Sequence, residues 1–157
     1  MVTLRKITLD NVGKIFLLKA DEDLVATNPW SLAQAFAYVC ENGTDKLLVR
    51  GIYFEETPVG FMMVDLDAKD DCIDNNGERY FHLWRLMVDE KFQDKGYGRA
   101  AMEILIEELK SRIHGDARAL YTSTVPLSTV TPKFYGSFGF VVTGEMDEDE
   151  AVMRLAL

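Results

Sequence analysis

The sequence predicts an α/β (α+β) fold in which helices cover both faces of a mixed, mostly antiparallel central sheet. Hydrophobic periodicity gives the order strand, two helices, three strands, helix, strand, helix, two strands. Short turns join consecutive strands, which makes those strands antiparallel neighbours. The largely apolar run from Tyr80 to Val88 suits a central strand. At 157 residues, the chain is expected to form a single domain over 1–157.

The first third of the chain predicts one strand and two helices. Val2 to Ile7 reads as the strand, and Thr8 is positioned to cap a helix that ends near Ala20. Its apolar face comprises Leu9, Val12, Ile15 and Phe16. Ser31 and Gln34 have the spacing of a capping box for the second helix, which Asn42-Gly43 ends. That helix is predicted to bury Leu32, Ala35, Phe36, Val39 and Cys40.

The middle of the chain is predicted to supply the three inner strands. Residues 47–54 and 59–66 read as a pair joined by the turn Glu55-Glu56-Thr57-Pro58. Residues 67–78 have turn chemistry throughout, and they lead into the apolar strand that ends at Val88.

The last third begins with a strongly amphipathic helix from Gly98 to about Arg112. Its predicted apolar stripe is Met102, Leu105, Ile106, Leu109 and Ile113. Residues 119–124 read as a strand, and Thr131 is positioned to cap a short helix with Pro132 in its first turn. Residues 140–144 and 151–155 predict a closing hairpin.

Charge and composition exclude several classes of function. The formal net charge of −9 opposes nucleic-acid binding, and the same field attracts a cationic substrate. The aliphatic runs are too short to span a bilayer, so no membrane association is expected. Cys40 and Cys72 lack metal-ligand spacing, and two thiols suit a reducing cytoplasm. The acids between Asp65 and Asp74 fail the calcium-loop pattern, and no metal site is predicted.

A glycine-rich turn separates the central strand from the long helix. It reads Gln93-Asp94-Lys95-Gly96-Tyr97-Gly98-Arg99-Ala100. Glycines let the backbone approach a phosphate closely, and the amides at a helix N-terminus can hold a pyrophosphate. Residues 96–101 also fit the dinucleotide pattern G-x-G-x-x-A. However, the hydrophilic residues 89–95 separate this turn from its strand, and the chain left after it is too short for a doubly wound sheet.

Two motifs together resemble those of the GNAT superfamily of N-acetyltransferases. Gln93, Gly96 and Gly98 match [QR]-x-x-G-x-[GA], and residues 134–140 resemble the family's L-Y-x-x-x-G-F segment. The order of elements also matches the family over essentially the whole chain. Within the superfamily, residues 84–89, the early segments 26–28 and 31–35, and the ending 153–155 resemble bacterial spermine/spermidine acetyltransferases.

The resemblance implies acetyl-CoA as cosubstrate and assigns roles to particular residues. Tyr135 is expected to protonate the thiolate leaving group, and main-chain amides at the end of the fourth strand are expected to bind the thioester carbonyl. Ser128 stands where the family usually has Asn, and Pro132 interrupts the usual helix start. The predicted coenzyme-binding residues are Met87, Val88, Gln93, Asp94, Lys95, Gly96, Tyr97, Gly98, Arg99, Ser128 and Lys133.

The acceptor side is predicted from charge and from the resemblance. His82 is a candidate base acting through water, although a lone histidine on a strand is often structural. Asp21, Glu22 and Asp23 lie in the loop that borders family acceptor sites, and they are candidates to bind a polyamine such as spermidine or spermine. Another small amine, a peptide N-terminus, or a non-catalytic acetyl-CoA sensor are the alternatives. The sequence leaves open whether the protein forms a homodimer.

Overall fold

The computed structural model describes residues 1–19, 27–69, 73–125, 128 and 130–157. The strands are β1 (Val2–Lys6), β2 (Leu47–Phe54), β3 (Thr57–Asp65), β4 (Phe81–Val88), β5 (Ala119–Thr124), β6 (Val141–Asp147) and β7 (Glu150–Ala156). The helices are α1 (Val12–Phe16), α2 (Asn28–Asn42), α3 (Tyr97–Lys110) and α4 (Val130–Gly136). A short 3₁₀ turn, Glu90–Phe92, follows β4.

The strands form one sheet in the order β1-β2-β3-β4-β5-β7-β6. Every neighbouring pair is antiparallel except β4 and β5, which run parallel. A parallel pair needs a crossover between its strands, and α3 lies in that crossover. The predicted mixed, mostly antiparallel sheet is therefore confirmed.

Helices cover both faces of the sheet, as predicted. On one face, residues of α3 and α4 pack on the sheet in a core that includes Phe81, Leu105, Leu120, Tyr135 and Met153. On the other face, Ile15 of α1 and Ala35 of α2 pack against Phe61, Met63 and Met87. Burying apolar surface on both sides of β3 and β4 explains why their sequences are nearly continuous apolar runs.

The amphipathic pattern of α3 predicts its buried face with one error. Met102 and Leu105 are fully buried and Leu109 is 1 % exposed, because the stripe faces the sheet. The helix ends at Lys110, and Ile113 lies beyond it with 68 % of its surface exposed. The prediction that Ile113 belongs to the buried stripe is thus wrong, since the helix ends before residue 113.

The first helix is shorter than its apolar pattern suggests. It spans only Val12–Phe16, and it buries Ile15 while Leu9 and Phe16 are exposed. The Thr8 side chain is not its cap. Instead, the Thr8 carbonyl accepts from the Asn11 and Val12 amides, and the Asn11 side chain accepts from the Thr8 amide.

The second helix begins three residues before the predicted capping box. Thr27 is its N-cap, its hydroxyl accepts from the Trp30 amide at 3.4 Å, and a proline lies in the first turn. Ser31 is consequently a buried residue inside the helix and is not its N-cap. The predicted burial of Phe36 and Cys40 is also wrong, since both are exposed.

Two connections also differ from the sequence interpretation. The predicted four-residue turn between β2 and β3 is shorter in the structure, because it contains only Glu55 and Glu56 and β3 begins at Thr57. Glu55 has φ +54° in this turn. Helix α4 begins at Val130, one residue before the predicted cap Thr131. The Thr131 amide instead donates to the Ser128 hydroxyl at 3.2 Å. No helix among the described residues is long and apolar enough to cross a membrane.

Candidate active site

A gap between β4 and β5 dominates the middle of the sheet. The two strands, both wholly described, pair only at Phe81↔Leu120 and His82↔Tyr121. Strand β4 continues to Val88 and β5 to Thr124, so the strands separate after this joint. The main chain of β4 beyond His82 therefore presents backbone groups toward the gap, which we call the splay.

A threonine and a tyrosine lie where the splay begins. The Thr122 hydroxyl of β5 donates to the Leu83 carbonyl of β4 at 3.2 Å, one residue beyond the joint. The Tyr135 phenol of α4 interacts with the Thr122 side chain, which lowers the pKa of the phenol. Tyr135 therefore lies near the opening between the two strands.

Tyr135 is a buried residue that packs among aromatic rings. Its ring is 6 % exposed and packs against Phe134 and Phe140, with ring centroids 5.3 and 5.4 Å away. Burial raises the pKa of Tyr135 to about 12 because the phenolate loses its hydration, and the interaction with Thr122 opposes this rise. A phenol is protonated at neutral pH with or without this rise, so Tyr135 carries a proton that it can donate.

The glycine-rich turn joins the end of β4 to the start of α3. Gly96 is the N-cap of α3 with φ +79°, a conformation that favours glycine. Neither a capping side chain nor an acidic residue occupies this N-terminus. The amides of the first turn of α3 and their dipole can thus receive an anion such as a pyrophosphate.

The same turn packs directly against the end of β4. The Gln93 side-chain nitrogen Nε2 donates to the Val88 carbonyl at 3.1 Å. Gly98 also lies close to β4, because a Cβ placed there would be 3.4 Å from the Val88 side chain. The structure therefore brings together Val88, Gln93, Gly96 and Gly98, and Met87 lies beside them at the end of β4.

Other predicted coenzyme residues contact the protein through their side chains. Lys95 Nζ donates to the Lys91 carbonyl at 3.0 Å, and the Tyr97 ring stacks on Phe54. Arg99 donates to the Ser137 hydroxyl at 2.8 Å and lies over the Phe138 ring.

The remaining predicted residues of the coenzyme region have varied settings. Asp94 has φ +59° in the turn before Gly96. Lys133 is exposed on α4, and the Ser128 hydroxyl lies 2.7 Å from that of Thr131.

The predicted acceptor residues divide between the described and undescribed parts. His82 is half-buried at the joint of β4 and β5, next to the beginning of the splay. Asp21, Glu22 and Asp23 lie outside the described residues. Among the residues that the structure describes, no cluster of three or more His, Cys, Asp or Glu side chains has metal-binding geometry.

Sequence reasoning missed two charged residues near the splay. Arg85 of β4 donates to the Gln34 side-chain oxygen at 2.9 Å and lies over the Trp84 ring. Burial lowers the pKa of the Arg85 guanidinium, and the Glu150 carboxylate opposes that change. Glu150 itself accepts a hydrogen bond from the Ser123 hydroxyl. No pattern along the sequence indicates this grouping. It depends on β4, β5 and β7 lying side by side in the sheet, which becomes known only with the strand order.

The family model for the GNAT family of acetyltransferases matches residues 13–140. The chain belongs to the GNAT family. A curated relative, the spermine/spermidine N(1)-acetyltransferase of Bacillus subtilis (strain 168), is 32 % identical over 97 residues. That match covers 62 % of this chain and 61 % of the relative, so the chain spans about three fifths of the length of this curated relative.

Solved structures share the GNAT fold over the whole chain. A PaiA N-acetyltransferase from Thermoplasma acidophilum, in complex with coenzyme A, has a TM-score of 0.69 at 14 % identity, with 100 % of this chain and 99 % of that chain covered. An acetyltransferase from Thermus thermophilus has a TM-score of 0.74 at 16 % identity, with 99 % and 97 % covered. At these identities, the likeness establishes the fold that GNAT proteins share.

Proposed function

We propose that this GNAT protein transfers the acetyl group of acetyl-CoA to a primary amine, and that a polyamine such as spermidine or spermine is the acceptor. The observation that carries the proposal is the position of the buried Tyr135 phenol near the beginning of the splay. The polyamine acceptor is supported by the name of the curated Bacillus relative and by the net charge of −9.

The residues at the glycine turn fit coenzyme A. The open N-terminus of α3 receives the pyrophosphate through amides of residues 97–99, while Gly96 leaves room for the phosphate oxygens and Gly98 packs closely on Val88. An added Cβ at Gly96 meets no atom within 4 Å, which shows free space beside that backbone. Gln93 fixes the turn to Val88 and so holds the phosphate site at a constant distance from the splay.

The splay gives the acetyl thioester a reaction site. The main-chain amide of Val88 binds the thioester oxygen as negative charge develops on it. This amide faces the splay, because the neighbouring Asp89 amide donates to Val59 of β3 and Met87 pairs with Phe61 of the same strand. The neutral amine attacks the carbonyl carbon in a ternary complex, forming the C–N bond as the C–S bond breaks. Tyr135 donates its proton to the departing thiolate, and the proton of the attacking nitrogen leaves through water, with His82 as candidate acceptor. The products are the acetylated amine and coenzyme A.

A thiol-release assay with the purified protein tests the proposal. We expect kcat/KM for spermidine and spermine to exceed that for a monoamine and for a peptide N-terminus. The advantage is expected to shrink as salt rises, because exposed charges are screened over about 8–10 Å at physiological ionic strength. Faster turnover of the peptide or of the monoamine would overturn the polyamine assignment, and no release with any amine would indicate an acetyl-CoA sensor.

The predicted acceptor acids have their own variant in this assay. Replacing Asp21, Glu22 and Asp23 by Asn, Gln and Asn keeps their size and removes their charge. If these acids bind the polyamine, KM for spermidine rises more than kcat falls. Parent-like spermidine kinetics would show that the three acids are solvated surface residues.

A further inference from the structure

Glu150 is a carboxylate at the far end of the splay. It is the first residue of β7, which pairs with β5 so that Ala151 lies opposite Thr124. The carboxylate accepts a hydrogen bond from Ser123, the residue before Thr124 on β5. This contact fixes the Glu150 side chain beside the part of β5 that has separated from β4.

The negative charge of Glu150 affects the pKa of two other residues near the splay. Burial lowers the pKa of the Arg85 guanidinium on β4, and the Glu150 carboxylate raises it. Burial also raises the pKa of Tyr135 on α4, and the same carboxylate adds to that rise. One carboxylate therefore interacts electrostatically with the residue proposed as general acid and with a residue across the splay.

The protein neutralises this carboxylate only in part. Within the described ranges, Glu150 has no Lys, Arg or His nitrogen within 4.0 Å, and its described hydrogen-bond donor is the neutral Ser123 hydroxyl. A carboxylate has about four acceptor positions on its two oxygens. Glu150 is half-buried, so charge-assisted hydrogen bonds formed there are stronger than those on an open surface.

We propose that Glu150 binds the reacting amino group of the acceptor and positions it beside the splay. This inference rests on the proposed function, and it names the residue that selects a cationic amine. The position of Glu150 favours the reacting amino group over a distant one, because its partner Ser123 directly follows Thr122, whose hydroxyl bonds the Leu83 carbonyl where the splay begins. Ser123 is the positioning residue that holds the carboxylate.

The test compares two charge-matched variants. Glu150→Gln keeps the shape of the side chain and its ability to accept from Ser123. Glu148→Gln makes the same charge change in the turn between β6 and β7, where Glu148 is exposed. We expect Glu150→Gln to raise KM for spermidine about tenfold or more, the size of a lost charged hydrogen bond. KM for acetyl-CoA is expected to stay at the parent value, and Glu148→Gln is expected to behave as the parent.

A monoamine substrate shows which amino group Glu150 binds, because its single amino group is the one that reacts. If Glu150 binds the reacting nitrogen, Glu150→Gln lowers kcat/KM for butylamine by about the same factor as for spermidine. A loss with spermidine alone would overturn the proposal, since the carboxylate would then hold a second ammonium group. Equal losses in the Glu148 and Glu150 variants would also overturn it, because they indicate general charge attraction. Ser123→Ala is expected to give a smaller rise in KM.

A binding measurement distinguishes failure of this inference from failure of the proposed function. If the parent protein releases no thiol with any amine, the proposed function fails. Calorimetric titration of spermidine into the coenzyme A-saturated protein then judges Glu150 alone. Binding that is lost in Glu150→Gln and kept in Glu148→Gln supports the inference. The same spermidine affinity in the parent and in Glu150→Gln, or no binding to the parent, overturns it. Thermal melting verifies that each variant is folded.

Discussion

Gly60 of β3 provides a stringent test of the position of the β4 main chain. A Cβ added there would lie 2.4 Å from the Met87 carbonyl oxygen and 3.3 Å from the Val88 Cα. The first distance is about 0.6 Å shorter than the 3.0 Å below which real Cβ atoms essentially never approach. The obstacle is backbone rather than a flexible side chain, so Gly60→Ala must displace the end of β4.

The size of the effect follows from this overlap. Overpacking costs typically about 1–3 kcal/mol, and each kcal/mol lowers Tm by roughly 2–4 °C in a chain of this length. The displaced residues include Val88, whose amide is proposed to bind the thioester oxygen. Since a misplacement of about 1 Å can cost a hundredfold in rate, a shift of about 0.6 Å is expected to lower kcat/KM roughly tenfold or more.

Thermal melting and the thiol-release assay measure the two effects on the same protein. Gly13→Ala is the matched control, because its added Cβ meets no atom within 4 Å and alanine favours the helix in which it lies. The control is expected to keep the parent activity with equal or higher Tm. A Gly60→Ala protein with parent values of both Tm and kcat/KM would refute the reasoning, since the β4 end would then move without consequence for the reaction.

Tyr135→Phe keeps the ring and removes the acid, so kcat is expected to fall roughly a hundredfold with little change in calorimetric affinity for acetyl-CoA; full activity would leave Tyr135 a packing residue. Because burial raises the pKa of this phenol from 10 to about 12, the unfolded chain loses the proton first as pH rises. Chemical denaturation is thus expected to show parent stability falling between about pH 10 and 12 relative to Tyr135→Phe, and parallel pH profiles would contradict the shift. Gly96→Asp adds charge and a strained φ at the α3 N-terminus and is expected to abolish acetyl-CoA binding; unchanged calorimetric affinity in the folded variant would exclude this turn as the phosphate site.

The sequence predicts best those elements whose pattern reflects burial on a sheet. Residues 80–88 form a long apolar run because both faces of β4 are covered, and the stripe of α3 follows one covered face. The ends of helices were harder to predict, because each depends on one or two capping hydrogen bonds. Thr27 begins α2 with a proline in its first turn, a signal present in the sequence, but the Ser31 and Gln34 spacing offered a competing start.

The candidate site was predictable only where its residues are neighbours along the chain. The turn from Gln93 to Gly98 is such a segment, and the structure places it against Val88. Arg85 and Glu150 are 65 positions apart, and their electrostatic interaction depends on the splay and on the place of β7 beside β5. Periodicity contains no information about such strand order, so no local pattern distinguishes Glu150 from the exposed acids next to it.

The place of β7 between β5 and β6 has a consequence for how the protein is assembled on the ribosome. Strand β6 is synthesised before β7, yet it contacts the sheet through β7, and β5 likewise has β7 as its antiparallel partner. These three strands therefore cannot form a stable unit until residues 150–156 have left the exit tunnel. In contrast, β1 to β4 can pair much earlier, because β2, β3 and β4 are joined in succession. The nascent chain thus forms the β4 side of the splay first, and the β5 side is completed only when β7 has paired with β5.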